Sequence, residues 1–585
     1  MSRSVWMAAA GGLLVVCAAC SSEGSRRSAA LTSSSFAALV DEYLDQFARR
    51  HPSIAAGNGL HAHDDALEDF SAASIAGEVE WLRSERRKLD AIDEAHLTAD
   101  DRVDRRILQG IIDGWLLDLD TVRTWTRNPM ICAAAITDGV HNLMTIESSP
   151  APERMQQATA KLRAVPTLVA AARENIRQPP RVFVERAIVM FRGASALLQH
   201  DLPLAFANVQ DARKNALASA AANARRAIDE YASELEAKVL PQASGEYAIG
   251  TAAVEARYRA EELIDTPAPT LLQLGERELA NVQAQFQAAA RRVDARRSAA
   301  DVWGDVLNDH PRRGELVAAA QRTVDELFTF IRARRLVDLP DSERVVVAPA
   351  PPYDLGLASM HSSPPLEPRP VKSYYYVTDA QADWPAERQD AWLQKFNYPT
   401  LADITAHEVA PGHYVHSLFM RRTPGKIRRI WIGLNPFPQP SSGQDGWAHY
   451  AEQLVSDQGF KADDPRYKLA QTSEALTRIC RLIVGLRLHS GEWTIDRAAA
   501  FFEREAHLPP PAAQQEAVRG TYDPTYGGYF LGKMAALKLR RDYAAALGAQ
   551  FDLREFHQRV MTDGIAPWWA HRQLLMPGDK GAIVE

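Results

Sequence analysis

The chain has 585 residues, 46% of them hydrophobic and 24% charged, a balance that fits a folded protein with a sizeable core and excludes a disordered or fibrous one. Its formal net charge of -7 is small for that length, and no Lys/Arg block is long enough to read as a nucleic-acid tail. Nucleic acid is therefore not an expected partner.

In chain order, Arg3 precedes an apolar run from Val5 to Ala19 that is too short for a transmembrane helix. The run ends in Cys17-Ala18-Ala19-Cys20, small residues before a cysteine that can be acylated. Residues 1–20 read as a lipoprotein signal with Cys20 as the lipidation site, and residues 21–34 as a flexible polar tether; an ordinary secretory signal cut nearby is the alternative. The expectation is an exported protein held by an N-terminal lipid anchor in the bacterial cell envelope, on its periplasmic or outer-membrane side. Cys132 and Cys480 then remain, far apart in sequence, and read as two buried free thiols, with a single disulfide as the alternative in an oxidising compartment.

Phe36, Leu39, Val40, Tyr43, Leu44 and Phe47 fall at helical spacing. So do Leu217, Ala221, Ala224, Ile228, Tyr231, Leu235 and Val239, and again Leu316, Ala320, Val324, Leu327 and Ile331. These are long amphipathic helices whose stripes face a core. The period breaks between Pro340 and Val377, where prolines alternate with the β-prone runs Val345-Val346-Val347 and Tyr374-Tyr375-Tyr376-Val377. A small sheet is expected there, either as a hairpin beside the catalytic helices or as an edge that receives an extended peptide. Pro509-Pro510-Pro511 is short enough to connect two late helices.

The chemistry concentrates in His407-Glu408-Val409-Ala410-Pro411-Gly412-His413. A capping-box-like start at Thr400 places His407 and Glu408 on a helix. In the usual His-Glu-x-x-His zinc motif the histidines are four apart and share a face. Here they are six apart, which in a regular helix points them about 120° away from each other. Pro411 and Gly412 predict a bulge or kink that brings them back together. A third ligand is expected from Asp445-Gly446-Trp447-Ala448-His449-Tyr450-Ala451-Glu452, which reads as a helix with Asp445, His449 and Glu452 on one face. Two imidazoles and one carboxylate suit one Zn2+ per chain that keeps a position for water and leaves Glu408 as general base. His61, His63, His310 and His571 lack ligand spacing and read as surface or packing residues.

The motif His407-Glu408-x-x-Pro411-Gly412-His413, the block Gly446-Trp447-Ala448-x-Tyr450-Ala451-Glu452 and the run Tyr529-x-x-Gly532-Lys533 with Leu539-Arg540 together resemble the bacterial family called domain of unknown function 885. His51-Pro52 and Leu97-Thr98-Ala99-Asp100-Asp101-Arg102 extend the resemblance over nearly all of the mature chain. That family in turn is similar to helical zinc metallopeptidases of the thermostable carboxypeptidase and oligopeptidase type. The resemblance implies a mainly α, two-lobed fold with a deep channel and a small β-sheet near the active site: one catalytic domain over 35–585, with an N-terminal helical lobe to about 340 and a metal-site lobe from 341. It also implies that His407, His413 and position 445 bind the metal, that Glu408 is the base, that Tyr529 donates a hydrogen bond to the developing oxyanion, and that Glu452 supports the site.

Two positions depart from the family pattern: 445, commonly Glu, is Asp here, and 416, commonly Gln, is His. Asp445 is one methylene shorter, so its helix must come closer, or a water, His449 or Glu452 must compensate, and His416 lies three positions after His413, able to reach the same face. The function expected is that of a zinc-dependent hydrolase of the cell envelope that cleaves short peptides. The alternative is a catalytically degenerate, peptide-binding lipoprotein that lost turnover through Asp445.

Overall fold

In the computed structural model, which describes residues 35–209, 212–339, 344–351, 356–435 and 441–585, helices start where the sequence supplies caps. Thr98 accepts a hydrogen bond from the Asp101 amide and opens the helix Ala99–Leu116, with Asp100 and Asp101 set against the positive end of its dipole. Ser71, Ser298 and Asp552 cap Ala72–Asp90, Ala299–Leu307 and Leu553–Thr562 in the same way. The expected amphipathic stripes are helices. Residues 35–50 bury Phe36, Val40, Tyr43, Leu44 and Phe47, and Lys214–Glu234 turns Leu217, Ala221, Ala224 and Ile228 inward, packing along Ala151–Asn175. The signal sequence, Cys20 and the tether lie outside the described residues. No described helix is long and apolar enough to cross a membrane.

The mainly α fold is built around three apolar clusters. One joins the helices between Phe36 and Leu119 to Ile427, Ile430, Trp431 and Leu434. A second runs from Met130 to Leu235. The third runs from Val254 to Val584 and contains the helices of the metal motif. Thr251–Glu261, Ala268–Val293 and Leu316–Arg334, placed by the sequence in the N-terminal lobe, therefore pack with the metal-site helices. Gly275 on Ala268–Val293 lets that helix lie directly against Leu482 and Ile483 of Pro465–His489. Apolar packing groups elements by facing stripes, and the proline-rich change of composition near 340 does not mark its boundary. Cys132 and Cys480 are buried free thiols in different clusters.

The proline-rich segment forms a three-stranded sheet of β1 (Val346–Pro349), β2 (Ala358–His361) and β3 (Tyr374–Val377) in the order β1-β3-β2. β1 pairs with β3 in parallel, Val347 opposite Tyr375, and β2 pairs antiparallel, Met360 opposite Tyr375. The sheet sits beside the motif helix: the hydroxyls of Tyr375 and Thr405 are 3.3 Å apart. Pro509-Pro510-Pro511 is a connection, Pro510 being the first residue of the helix Pro510–Tyr522.

The N-terminal helices are tied to the metal-site half by Arg428. Its fully buried guanidinium donates to Asp104 at 2.7 Å and also bonds Asp100, both on Ala99–Leu116. Burial still pushes the Asp104 carboxyl up to about 6 with this partner in place, so losing the partner leaves a buried, uncompensated acid. Arg428→Leu is expected to cost about 3–5 kcal/mol in a urea titration, and adding Asp104→Asn to recover part of the loss.

Candidate metal centre

Helix α1 (Tyr398–Glu408) starts at Asn397, whose fully buried side chain accepts from the Thr400 amide and donates to the Gln394 carbonyl. The cap is thus three residues earlier than the Thr400 start read from sequence, because Pro399 fits the first turn, where no amide donor is needed. After Glu408 the chain breaks fully and re-forms as α2 (His413–Met420), in place of the expected bulge within one helix. The Ala410-Pro411 peptide is cis. The Gly412 amide reaches back to the Ala406 carbonyl at 3.1 Å and the Val415 amide to Val409 at 3.1 Å. A β-carbon on residue 412 would stand 1.7 Å from the His407 carbonyl oxygen, so only glycine closes this turn. Trp447 holds it from outside, its indole donating to the Pro411 carbonyl at 3.0 Å. The His407 and His413 rings end 4.8 Å apart and nearly perpendicular, at 86°.

The third group arrives on α3 (Asp445–Asp457), with Asp445 in its first turn. Its position depends on α4 (Pro465–His489), which stands behind it, and on a close crossing with α5 (Gly528–Leu547). At that crossing a β-carbon on Gly446 would lie 2.4 Å from the Gly532 Cα, and one on Gly532 2.2 Å from the Ser442 carbonyl oxygen. The two glycines let the backbones touch, and the same approach carries Tyr529 of α5 to the site.

Asp445 Oδ1 lies 3.6 Å from His413 Nε2 and 3.8 Å from His407 Nε2, and the three groups offer ligand atoms all within 4.8 Å of one another. An ion bound tetrahedrally at about 2.1 Å sets its ligand atoms about 3.4 Å apart, so small side-chain shifts suffice for these three to hold one. Asp445 therefore reaches both imidazoles despite its shorter side chain.

Glu452, two turns along α3, lies behind them. It accepts from His407 Nδ1 at 2.7 Å and from His449 Nδ1 at 2.8 Å, and Arg478 pairs with it at 3.0 Å. This fixes the His407 tautomer and turns Nε2 toward Asp445 and His413. Burial opposes charge on Glu452, yet Arg478, His449 and His407 hold its carboxyl well below the ordinary range. Asp445 is likewise depressed against its burial, by His407 and His413. Burial works against a charged His407 as well, but its bonds to Asp445 and Glu452 push it up to about 10. The site is thus organised to hold positive charge between the imidazoles and Asp445, which a divalent cation supplies without a proton on either ring nitrogen.

His449 stands on the far side of Glu452 and His416 donates from Nε2 to the Gly564 carbonyl at 3.0 Å, so neither joins the three-group cluster. Glu408, next to His407, is half-buried and its carboxylate has no hydrogen-bond partner among the described residues. The Tyr529 ring lies 6.5 Å from that of His407 and is flanked by Arg478, Arg481 and Arg519 at 6.0, 5.0 and 5.8 Å. Burial and the Asp445 carboxylate push its hydroxyl up to about 12, which keeps it a donor. The arginines escaped the sequence reading; the available signal was Arg478-x-x-Arg481, two cations one turn apart beside the apolar run Leu482-Ile483-Val484 of a mostly buried helix. On the His413 side a cavity of about 360 Å³ opens between the metal-site helices and Ser53, Ile54, Asn58 and Asp138 of the N-terminal half.

Glu452→Gln keeps the shape but weakens the hold on His407, and is expected to lower zinc affinity by about 10- to 100-fold in competition with a chromogenic chelator. Gly412→Ala, measured the same way, is expected to lose tight zinc binding altogether because the turn that joins the histidines cannot close.

Two solved structures share this architecture. A candidate lipoprotein of unknown function from Shewanella oneidensis aligns over 92% of this chain and 99% of its own, with a TM-score of 0.77 and 22% identity. The crystal structure of a candidate lipoprotein from Colwellia psychrerythraea aligns over 93% and 98%, with a TM-score of 0.78 and 17% identity. At these identities the likeness is one of fold. No curated protein matches the sequence. The profile of the bacterial proteins of unknown function DUF885 matches residues 52–571, nearly the whole described chain, and the protein belongs to that family.

Proposed function

We propose that the protein is a zinc-dependent hydrolase of the cell envelope, a peptidase acting on short peptides, anchored by a lipid on Cys20. The observation that carries the reading is the convergence of His407 Nε2, His413 Nε2 and Asp445 Oδ1, with His407 held from behind by Glu452. Two imidazoles and one carboxylate are a zinc donor set that leaves a coordination position free. A bound zinc ion supplies a Lewis acid and acidifies water near neutral pH.

The remaining work falls to the chain's own groups. Glu408, beside the ligand and without a hydrogen-bond partner among the described residues, takes a proton from the attacking water and passes it to the departing amine as the C–N bond breaks. Tyr529, kept protonated by its burial, donates to the carbonyl oxygen as negative charge develops there. Arg478, Arg481 and Arg519 around its ring favour that charge further. The cavity beside His413 gives an extended peptide a path to these groups. The envelope location rests on Cys17-Ala18-Ala19-Cys20 and agrees with the description of both structural neighbours as candidate lipoproteins.

The test is turnover of a mixed peptide library by zinc-loaded protein. Glu408→Gln is expected to lower kcat by about 10²- to 10⁴-fold with zinc content unchanged. Full activity in this variant contradicts the role given to Glu408, and peptide binding without turnover in the zinc-loaded wild type establishes the binding-protein alternative.

A further inference from the structure

A second cavity, of about 290 Å³, lies between the N-terminal helices and Tyr522 and adjoins the one beside His413: Ser53, Ile54 and Asp138 line both. Its wall is mostly apolar and includes the aromatic rings of Phe70, Trp115, Trp125 and Tyr522 beside Met130 and Met190. At about twice the 150 Å³ of an engineered cavity that takes up benzene, it accepts a bulky side chain. Such a space, adjoining the candidate metal centre, has the size and lining of a pocket for part of a ligand.

The charged groups around it are mostly engaged. Glu78 bonds His51 at 2.6 Å, Asp118 bonds Arg257 at 2.6 Å, and Glu68 accepts from the Ser53 amide and hydroxyl at 2.8 and 2.9 Å. Arg186 also borders the cavity, near Tyr522. Asp138 differs: it lines both cavities, its side chain is exposed, and its carboxylate has no hydrogen-bond or ion-pair partner among the described residues. The nearby Glu68 adds negative charge at the same place, which a cationic group offsets.

Resting on the peptidase reading above, we infer that this second cavity takes a large apolar, preferably aromatic, side chain of the substrate, while Asp138 in its lining pairs with a cationic group of the same peptide. The cation is either the α-ammonium or a lysine side chain. The site therefore selects cationic peptides with bulky apolar residues over neutral peptides with small ones.

Binding is tested by calorimetry on the full chain stripped of metal, so that hydrolysis plays no part. The probes are short peptide amides carrying Phe or Ala, each with a free or acetylated amino terminus, and an acetylated Lys-Phe peptide. The Phe peptide is expected to bind at least about tenfold tighter than its Ala counterpart. Ala134→Trp is expected to remove that difference by filling the cavity, and Ile131→Trp, one turn away on the same helix, does so independently should the first variant fold poorly. Asp138→Asn is expected to weaken the free-amine peptide at least tenfold if the α-ammonium is the partner, or the acetylated lysine peptide if the side chain is. Equal affinity for Phe and Ala peptides, unchanged discrimination in both Trp variants, or no effect of Asp138→Asn on either cationic peptide overturns the inference. Phe-selective binding in a protein that fails to turn over peptides when zinc-loaded supports the pocket and sinks the peptidase reading; turnover with no preference for Phe does the reverse.

Discussion

The candidate metal centre depends on one steric constraint, the close approach of the Gly412 backbone to the carbonyl oxygen of His407. Two histidines six residues apart diverge in a regular helix, and they face each other here because the chain stops at Glu408, doubles back with the Gly412 amide on the Ala406 carbonyl, and starts again at His413. A β-carbon at 412 has no room, and Trp447 seals the turn from α3. Since Trp447 and Asp445 sit on one helix, the group that clamps the turn also sets the depth at which the carboxylate meets the imidazoles. The Gly446/Gly532 crossing then fixes α3 against α5 and brings Tyr529 to the same place. Backbone proximity at a few glycines thus positions four functional side chains from four helices.

Electrostatics shows how the buried carboxylates of the assembly are compensated. Asp445 and Glu452 are held below the ordinary carboxyl range although buried, Asp445 by its bonds to the imidazoles and Glu452 by Arg478, His449 and His407. Glu452 sits at the centre of this arrangement, holding two imidazoles and a guanidinium at once. A buried carboxylate with fewer partners takes up a proton, as Asp104 tends to do even beside Arg428. The cavities differ in the same respect: the one beside His413 has the more polar lining and the adjoining one the more apolar.

Much of this was legible in the residues. Amphipathic stripes marked the helices through Phe36, Leu217 and Leu316, and the Val and Tyr runs marked β1 and β3. β2 was not legible, because Ala358-Ser359-Met360-His361 has no β-branched residue and is a strand only by pairing with β3. The helix start moved from Thr400 to Asn397, since both residue types cap helices and burial against Gln394 decided between them. The face shared by Asp445, His449 and Glu452 was correct, but the division of labour along it depends on where α3 docks, which local spacing does not encode. The resemblance put a lobe boundary near 340, and the apolar core joins Val254–Val337 to the helices that follow it, a grouping that only facing stripes reveal. Arg478, Arg481 and Arg519 come together only through tertiary packing around Tyr529.

The most direct test of the account is anomalous X-ray diffraction at the zinc edge from crystals of the zinc-loaded protein. The account predicts one strong peak per chain, about 2.0–2.2 Å from Nε2 of His407, Nε2 of His413 and a carboxylate oxygen of Asp445. A peak held by other residues, or none between these three, contradicts it.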